Sequence, residues 1–191
     1  MDKPSHHSHS KEKEFKSHEA HKAQAPSSIR CMVITVSDTR KEETDISGKS
    51  IQEHLIKNGH QVVAYQIVKD EAQEIQNLLR QGVANPEVQV IIFNGGTGIA
   101  PRDVTYEALE RLLDKKIDGF GEIFRYLSYK EIGSAAILSR ALAGVCNRKI
   151  VFSIPGSPGA VELAMRELIL PEMGHLVREA NKEVSLNSDQ L

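Results

Sequence analysis

The chain has 191 residues, 40% of them hydrophobic, 26% charged and 5% aromatic, with no Trp and a formal net charge of −2. That length suits one ordinary domain with tails, and the apolar share is too large for wholesale disorder. Near-neutral charge gives no general attraction to nucleic acid, and the longest apolar run, Val90-Ile91-Ile92-Phe93, is far too short to cross a bilayer.

Residues 1–28 hold five of the eight histidines (His6, His7, His9, His18 and His21) and almost no apolar side chains beyond Met1, Phe15 and three alanines. Such a segment cannot bury enough surface to offset its ordering entropy, so a disordered, histidine-rich tail is expected there. Five lysines against four acids give this tail a charge of +1 and leave −3 for the rest. Its histidines could hold a transition metal weakly, or simply be solvated; their spacing dictates no coordination geometry. The folded domain is expected over 29–180, with 181–191 a polar end. Cys31 and Cys146 stand alone and far apart, which excludes a disulfide framework or CxxC zinc site and suits small buried side chains. A soluble, cytoplasmic protein is expected, with no membrane segment and no opening hydrophobic signal.

Within the domain, short β-branched runs alternate with amphipathic stretches. Residues 31–36 read as a strand buried on both faces. Residues 50–58 read as a helix with Ile51, Leu55 and Ile56 on one side and Gly59 as its stop. A strand over 61–68 and a helix over 71–82, striped by Ile75, Leu78 and Leu79, come next. A strand over 88–93 leads to a helix over 103–113 with Val104, Ala108, Leu109 and Leu112 inward. The stretch 136–145 suits helix or strand; a strand is favoured, leading through Asn147-Arg148 into a strand over 149–154. Helices over 157–170 and 171–180 close the domain. This alternation builds right-handed βαβ units around a parallel sheet.

In open α/β sheets ligands bind at the carboxyl ends of the strands. Three chemically unusual loops fall there: Ser37-Asp38-Thr39-Arg40, Asn94-Gly95-Gly96-Thr97-Gly98 and Pro155-Gly156-Ser157-Pro158. Three glycines in four positions permit positive φ and let successive N–H groups converge on an anion, although a plain tight turn would use them too. No Gly-Lys-Ser/Thr follows, so this is not a Walker A loop, and the spacing misses GxGxxG. Asp103 beside an anion cradle would repel phosphate unless a cation such as Mg²⁺ intervened; equally, it could cap the helix that starts at Val104. Asp70 has the same two readings, and both acids, on neighbouring strand ends, could share one metal.

Several further motifs occur in order. Gly95-Gly96-Thr97-Gly98 with Arg102-Asp103-Val104-Thr105, Gly119-Phe120-Gly121-Glu122 with Phe124-Arg125, Ser139-Arg140 with Ala143-Gly144, and Pro155-Gly156-Ser157-Pro158 together resemble the MoaB/MogA family of molybdenum cofactor biosynthesis proteins over 29–177. Phe124-Arg125 and Glu131-Ile132-Gly133-Ser134 resemble the MoaB branch more than MogA. The resemblance implies a three-layer α/β/α domain with a mostly parallel central sheet, the molybdopterin-binding fold, assembled as a trimer or hexamer. Its substrates would be molybdopterin and ATP with Mg²⁺: the terminal phosphate of molybdopterin attacks the α-phosphate of ATP and pyrophosphate leaves.

By that resemblance Asp70 and Asp103 are the catalytic acids and the Mg²⁺ holders. Gly95, Gly96, Thr97 and Gly98 would cradle nucleotide phosphates, with Ser37, Asp38, Ser47 and Gly48 near the same pocket. Pro155, Gly156, Ser157 and Pro158 would meet the pterin or its phosphate, or form only a rigid turn. Asn94 stands where the family often has Thr or Ser, keeping an amide but losing a hydroxyl; Lys69 stands where Pro is frequent. Arg125, Arg140 and Arg148 are left between phosphate binding and subunit contacts. Three readings of function follow: an adenylyltransferase, a non-catalytic MoaB-type protein that binds molybdopterin or a precursor, or an oligomeric scaffold for other enzymes of the pathway.

Overall fold

The computed structural model describes residues 26–182. The expected tail histidines at positions 6, 7, 9, 18 and 21, and most of the polar end, lie outside the described residues. Among the described residues six strands form one sheet: β1 (Arg30–Val36), β2 (Gln61–Val68), β3 (Val90–Asn94), β4 (Lys115–Lys116), β5 (Leu142–Cys146) and β6 (Lys149–Ile154), in the spatial order β2-β1-β3-β6-β5-β4. The first four of that row are parallel, with Arg30 opposite Gln61, Cys31 opposite Val90 and Val90 opposite Ile150; β5 and β4 continue it antiparallel.

Alternation along the central strands sends side chains to two cores. Cys31, Val33, Val90, Ile92, Ile150 and Phe152 face a cluster with Ile51, Leu55, Phe120, Phe124, Val161 and Met173. Met32, Ile34, Ile91, Phe93 and Val151 face Ile75, Leu78, Leu79 and Leu109. The helices that supply these partners are α1 (Ile46–Lys57), α2 (Ala72–Ala84), α3 (Thr105–Glu110), α4 (Asp118–Ile132), α5 (Pro158–Ala164) and α6 (Leu170–Ala180). Helices α1, α4, α5 and α6 therefore cover one face and α2 and α3 the other, which is the expected three-layer α/β/α arrangement with a mostly parallel sheet.

Three local expectations change. The stretch 136–145 divides: Gly133–Leu138 is a 3₁₀ segment, and only Leu142–Cys146 is strand. The strand returns through Asn147 (φ 46°) and Arg148 (φ 65°), the left-handed pair that a two-residue hairpin requires. Helix α4 falls where the apolar pattern assigns no element, because Gly119 and Gly121 lower helix propensity. Gly121 is there for packing: a Cβ would sit 2.7 Å from the Ala141 carbonyl oxygen, so the helix can lie close on that segment. Finally, the two closing helices are one continuous rod. Pro171 cannot donate to the preceding turn, and the wider π turn Met165–Ile169 absorbs the missing bond without a break.

The cysteines differ in surroundings. Cys31 is fully buried, and burial pushes its thiol up to about 12. Cys146 is only half-buried and its thiol is raised by burial and by the charge of Asp114. No helix among the described residues is long and apolar enough to cross a membrane.

Candidate functional site

The chain enters the sheet at β1, moves to β2 on one side and returns to β3 on the other. The gap between β1 and β3 is thus a topological switch point, the usual ligand crevice of such sheets. The Ser37-Asp38 loop leaves β1 and the glycine loop leaves β3, on either side of that gap. The Asp70 turn and the Pro155–Pro158 turn, at the carboxyl ends of β2 and β6, complete the same edge.

Gly95 (φ 100°) and Gly96 (φ 61°) both occupy the left-handed region. The Gly95 N–H donates to the Ile154 carbonyl at 3.0 Å, and a Cβ on Gly156 would come 3.1 Å from the Gly95 α-carbon. The glycine loop and the Pro155-Gly156 turn therefore pack backbone on backbone. On its other side the loop meets carboxylates. A Cβ on Gly96 would collide with Asp70 Oδ2 and Thr105 Oγ1, and one on Gly98 would lie 2.5 Å from Asp103 Oδ2.

Both capping readings of the acids give way to a different arrangement. Asp70 does not cap α2; its Oδ1 accepts the Val104 N–H at 3.2 Å and the Thr105 hydroxyl at 3.3 Å, at the start of α3. Asp103 does not cap the following helix either, because α3 begins at Thr105 and Val104, not Asp103, holds its N-cap position. Its Oδ2 accepts the Ala100 N–H at 2.9 Å and so closes the turn before the helix. The two acids are not on neighbouring strands, since β1 lies between β2 and β3. The loop between β3 and α3 curls back far enough to bring Asp103 within electrostatic reach of Asp70. Burial, then the negative charges of Asp103 and Asp38, hold the Asp70 carboxyl above its ordinary value, partly offset by its two hydrogen bonds.

Asp38 is neutralised within the protein. Arg102 grips it through Nε at 2.8 Å and Nη2 at 3.0 Å while reaching Glu71 Oε1 at 2.7 Å, and this pairing holds Asp38 below the usual carboxylate range. Asp38 also accepts the Asp70 N–H at 3.3 Å. No comparable basic partner meets Asp70 or Asp103 among the described residues. Two carboxylates suit a hard cation that takes its remaining ligands from phosphate and water. No group of three or more His, Cys, Asp or Glu side chains that could hold a metal exists among the described residues.

The remaining expected site residues are brought to the same edge but engage the protein. Ser37 Oγ accepts the N–H groups of Thr39 and Arg40 at 3.3 and 3.2 Å and shapes its own loop. Ser47 Oγ donates to the Gly156 carbonyl at 2.8 Å, tying α1 to the Pro155–Pro158 turn. Gly48 donates its N–H to Asp45 at 2.9 Å and lies too close to Asp45 and Thr35 for any side chain. Thr97 is buried in the loop. Ser157 accepts the Ala160 N–H at 3.4 Å and caps α5, with Pro158 at the first helical position.

Sequence reasoning missed the support beneath the loop. Asp45, buried, caps α1 and accepts the hydroxyls of Thr35 and Tyr65, each at 2.5 Å. Asn94 Nδ2 in turn donates to Thr35 Oγ1 at 2.8 Å and to the Ile34 carbonyl at 3.3 Å, so the residue before Gly95 is anchored to β1. Asp45 followed three residues later by Gly48 was the available signal, an N-cap with a glycine where the cap acceptor approaches. Arg140 also joins the site: it donates to the Gly98 carbonyl at 3.1 Å, pairs with Glu107 and stacks over the Tyr106 ring at 4.5 Å. Arg125 lies exposed on α4, and Arg148 sits in the β5–β6 hairpin at the other end of the sheet.

The family model described as "Probable molybdopterin binding domain" matches residues 32–175. A molybdenum cofactor biosynthesis protein B from Halalkalibacterium halodurans is 55% identical over 166 residues, covering 86% of this chain and 98% of its own length. A crystal structure of a molybdenum cofactor biosynthesis protein B is 55% identical, covers 84% of this chain and 100% of its own, and superposes with a TM-score of 0.81. The tungsten cofactor synthesizing protein MoaB from Pyrococcus furiosus, 40% identical, covers 83% of this chain and 100% of its own with a TM-score of 0.74. The family match takes in all of the sheet but the first two residues of β1, and every site loop, and the chain belongs to the MoaB group of molybdenum cofactor biosynthesis proteins.

Proposed function

We propose that this protein binds molybdopterin and ATP at the crevice between β1, β3 and β6 and transfers AMP to the terminal phosphate of molybdopterin. The observation that carries the reading is the pair Asp70 and Asp103, without basic partners among the described residues, set against Gly96 and Gly98 of a loop with two left-handed glycines. Nucleotidyl transfer needs positioning and charge neutralisation more than covalent help. Asp70 and Asp103 would hold Mg²⁺, which supplies positive charge against the phosphates when bound. The glycine loop orients the α-phosphate with its N–H groups, and the Pro155–Pro158 turn borders the pterin. A phosphate oxygen of molybdopterin forms the new bond to the α-phosphorus as the bond to the pyrophosphate oxygen breaks. The elevated affinity of Asp70 for a proton makes it the residue whose charge a cation would most relieve.

A second reading, a MoaB-type protein that binds molybdopterin or a precursor without transferring AMP, is favoured by one fact: the relatives at 55% identity are named for the B protein. One assay separates the two. Purified protein, molybdopterin, ATP and Mg²⁺ are mixed, and adenylylated molybdopterin and pyrophosphate are measured, with Asp103→Ala alongside. Product from the parent chain and none from an intact, folded Asp103→Ala supports the transferase. Molybdopterin binding without product moves the protein to the second reading.

The protein is further proposed to work in the cytoplasm as a homo-oligomer, trimer or hexamer, with contacts to other enzymes of the pathway. Support for assembly comes from Ile123, Tyr126, Tyr129 and Ile132 along the exposed side of α4, continued by Ile137 and Leu138. Arg125 on the same helix suits a subunit contact better than a phosphate.

A further inference from the structure

At the amino ends of β3 and β6, opposite the glycine loop, lies a cavity of about 580 Å³. Its lining includes Arg148, Lys149, Arg178 and Lys182 together with the apolar Pro86 and Val177. Glu179 pairs with Arg178 at 3.3 Å and with Lys182 at 3.7 Å. Lys149 Nζ donates to the Val88 carbonyl at 2.5 Å, and burial and the nearby charge of Arg30 lower its affinity for a proton.

Arg148 is the unusual member. Among the described residues its guanidinium has no ion pair, and its backbone holds φ 65°, the hairpin position that favours glycine. The Asn181 amide donates to its carbonyl at 3.2 Å, which fixes the hairpin against the end of α6. A strained backbone thus keeps a cation that makes no ion pair among the described residues in the wall of a cavity lined by further cations. A volume of this size exceeds what a bare inorganic anion fills and suits a small organic molecule.

We propose that this cavity binds a phosphate-bearing small molecule, its phosphate held by Arg148 with Lys149 and Lys182 and its organic body lying over Pro86 and Val177. The site is separate from the molybdopterin crevice and does not depend on whether AMP transfer occurs there.

Titration of the full-length ¹⁵N-labelled protein at low ionic strength tests it, with inorganic phosphate and phenyl phosphate as the probes and backbone amides as reporters. Both probes are expected to shift Arg148, Lys149, Asn181 and Lys182, with phenyl phosphate the tighter of the two. Arg148→Gly should weaken both at this site by about tenfold, the usual order for losing one charge-assisted hydrogen bond. Because glycine relaxes the hairpin, the variant's melting temperature should hold or rise. Three results overturn the proposal: shifts confined to 94–98, unchanged affinity in Arg148→Gly, or phenyl phosphate binding no more tightly than phosphate.

Discussion

Gly96→Ala probes the contact on which the site reading depends. At φ 61° an alanine costs about 1 kcal/mol in backbone strain. Its methyl would also collide with Asp70 Oδ2 and Thr105 Oγ1, both within the fold's own hydrogen-bond set. Relief requires Asp70 to swing away and surrender its bonds from the Val104 N–H and the Thr105 hydroxyl, at about 1 kcal/mol each. The sum is about 3 kcal/mol, or roughly 6–12 °C in melting temperature for a domain of this size. Gly59→Ala supplies the comparison. Its φ is 82°, but a Cβ there meets nothing within 4 Å, so only the backbone cost of about 1 kcal/mol applies. Urea unfolding of both variants, monitored by circular dichroism, measures the difference. Equal losses in the two would refute the argument that Gly96 is required by the approach of Asp70 rather than by φ alone.

Other perturbations follow from the same structure. Asp70→Asn keeps an acceptor for Val104 and Thr105 while removing a charge that the fold disfavours. Because the folded-state affinity of Asp70 for a proton is raised, the folded chain retains that proton more strongly, and the cost of ionisation appears as pH rises through the folded value. The variant should therefore be more stable than the parent near pH 7, with the gain vanishing below the ordinary carboxylate range; a pH series of melting temperatures checks this, and the proposed AMP transfer requires that the variant form no adenylylated molybdopterin. Ile123→Glu with Tyr126→Lys, on the exposed side of α4, should lower the mass measured by light scattering and leave monomer unfolding within about 0.5 kcal/mol. Cys31, buried with its thiol at about 12, should resist a disulfide reagent at pH 8 until urea unfolds the chain, whereas half-buried Cys146 should react slowly in the native state.

The central strands were legible because all-apolar runs such as Val90-Ile91-Ile92-Phe93 admit few structures other than a doubly covered strand. Their carboxyl ends carried glycines, aspartates and Pro-Gly turns that tertiary structure had only to gather. Helix α4 was obscured because Gly119 and Gly121 weaken the local helical signal, and only the tertiary approach of the Ala141 carbonyl explains the second of them. The continuity of α5 and α6 was hidden by Pro171, whose effect on a helix depends on whether the preceding turn can widen.

The roles of the acids were decided only in three dimensions. Asp70 and Asp103 each precede or approach a helix start, so local rules offered capping to both. The strand order instead set Asp70 against the backbone of a distant helix and left Asp103 to close its own turn, while Arg102 was drawn to Asp38 rather than to either. Asp45 is the extreme case: its partners Thr35 and Tyr65 lie on two different strands, 10 and 20 residues away. Periodicity and composition are properties of neighbours along the chain, and they determined the elements, the layers and the loop chemistry of this protein. Which carboxylate meets a cation, which meets an amide and which remains uncompensated depends on groups brought together from β1, β2, β3 and β6, and only the tertiary structure could decide that.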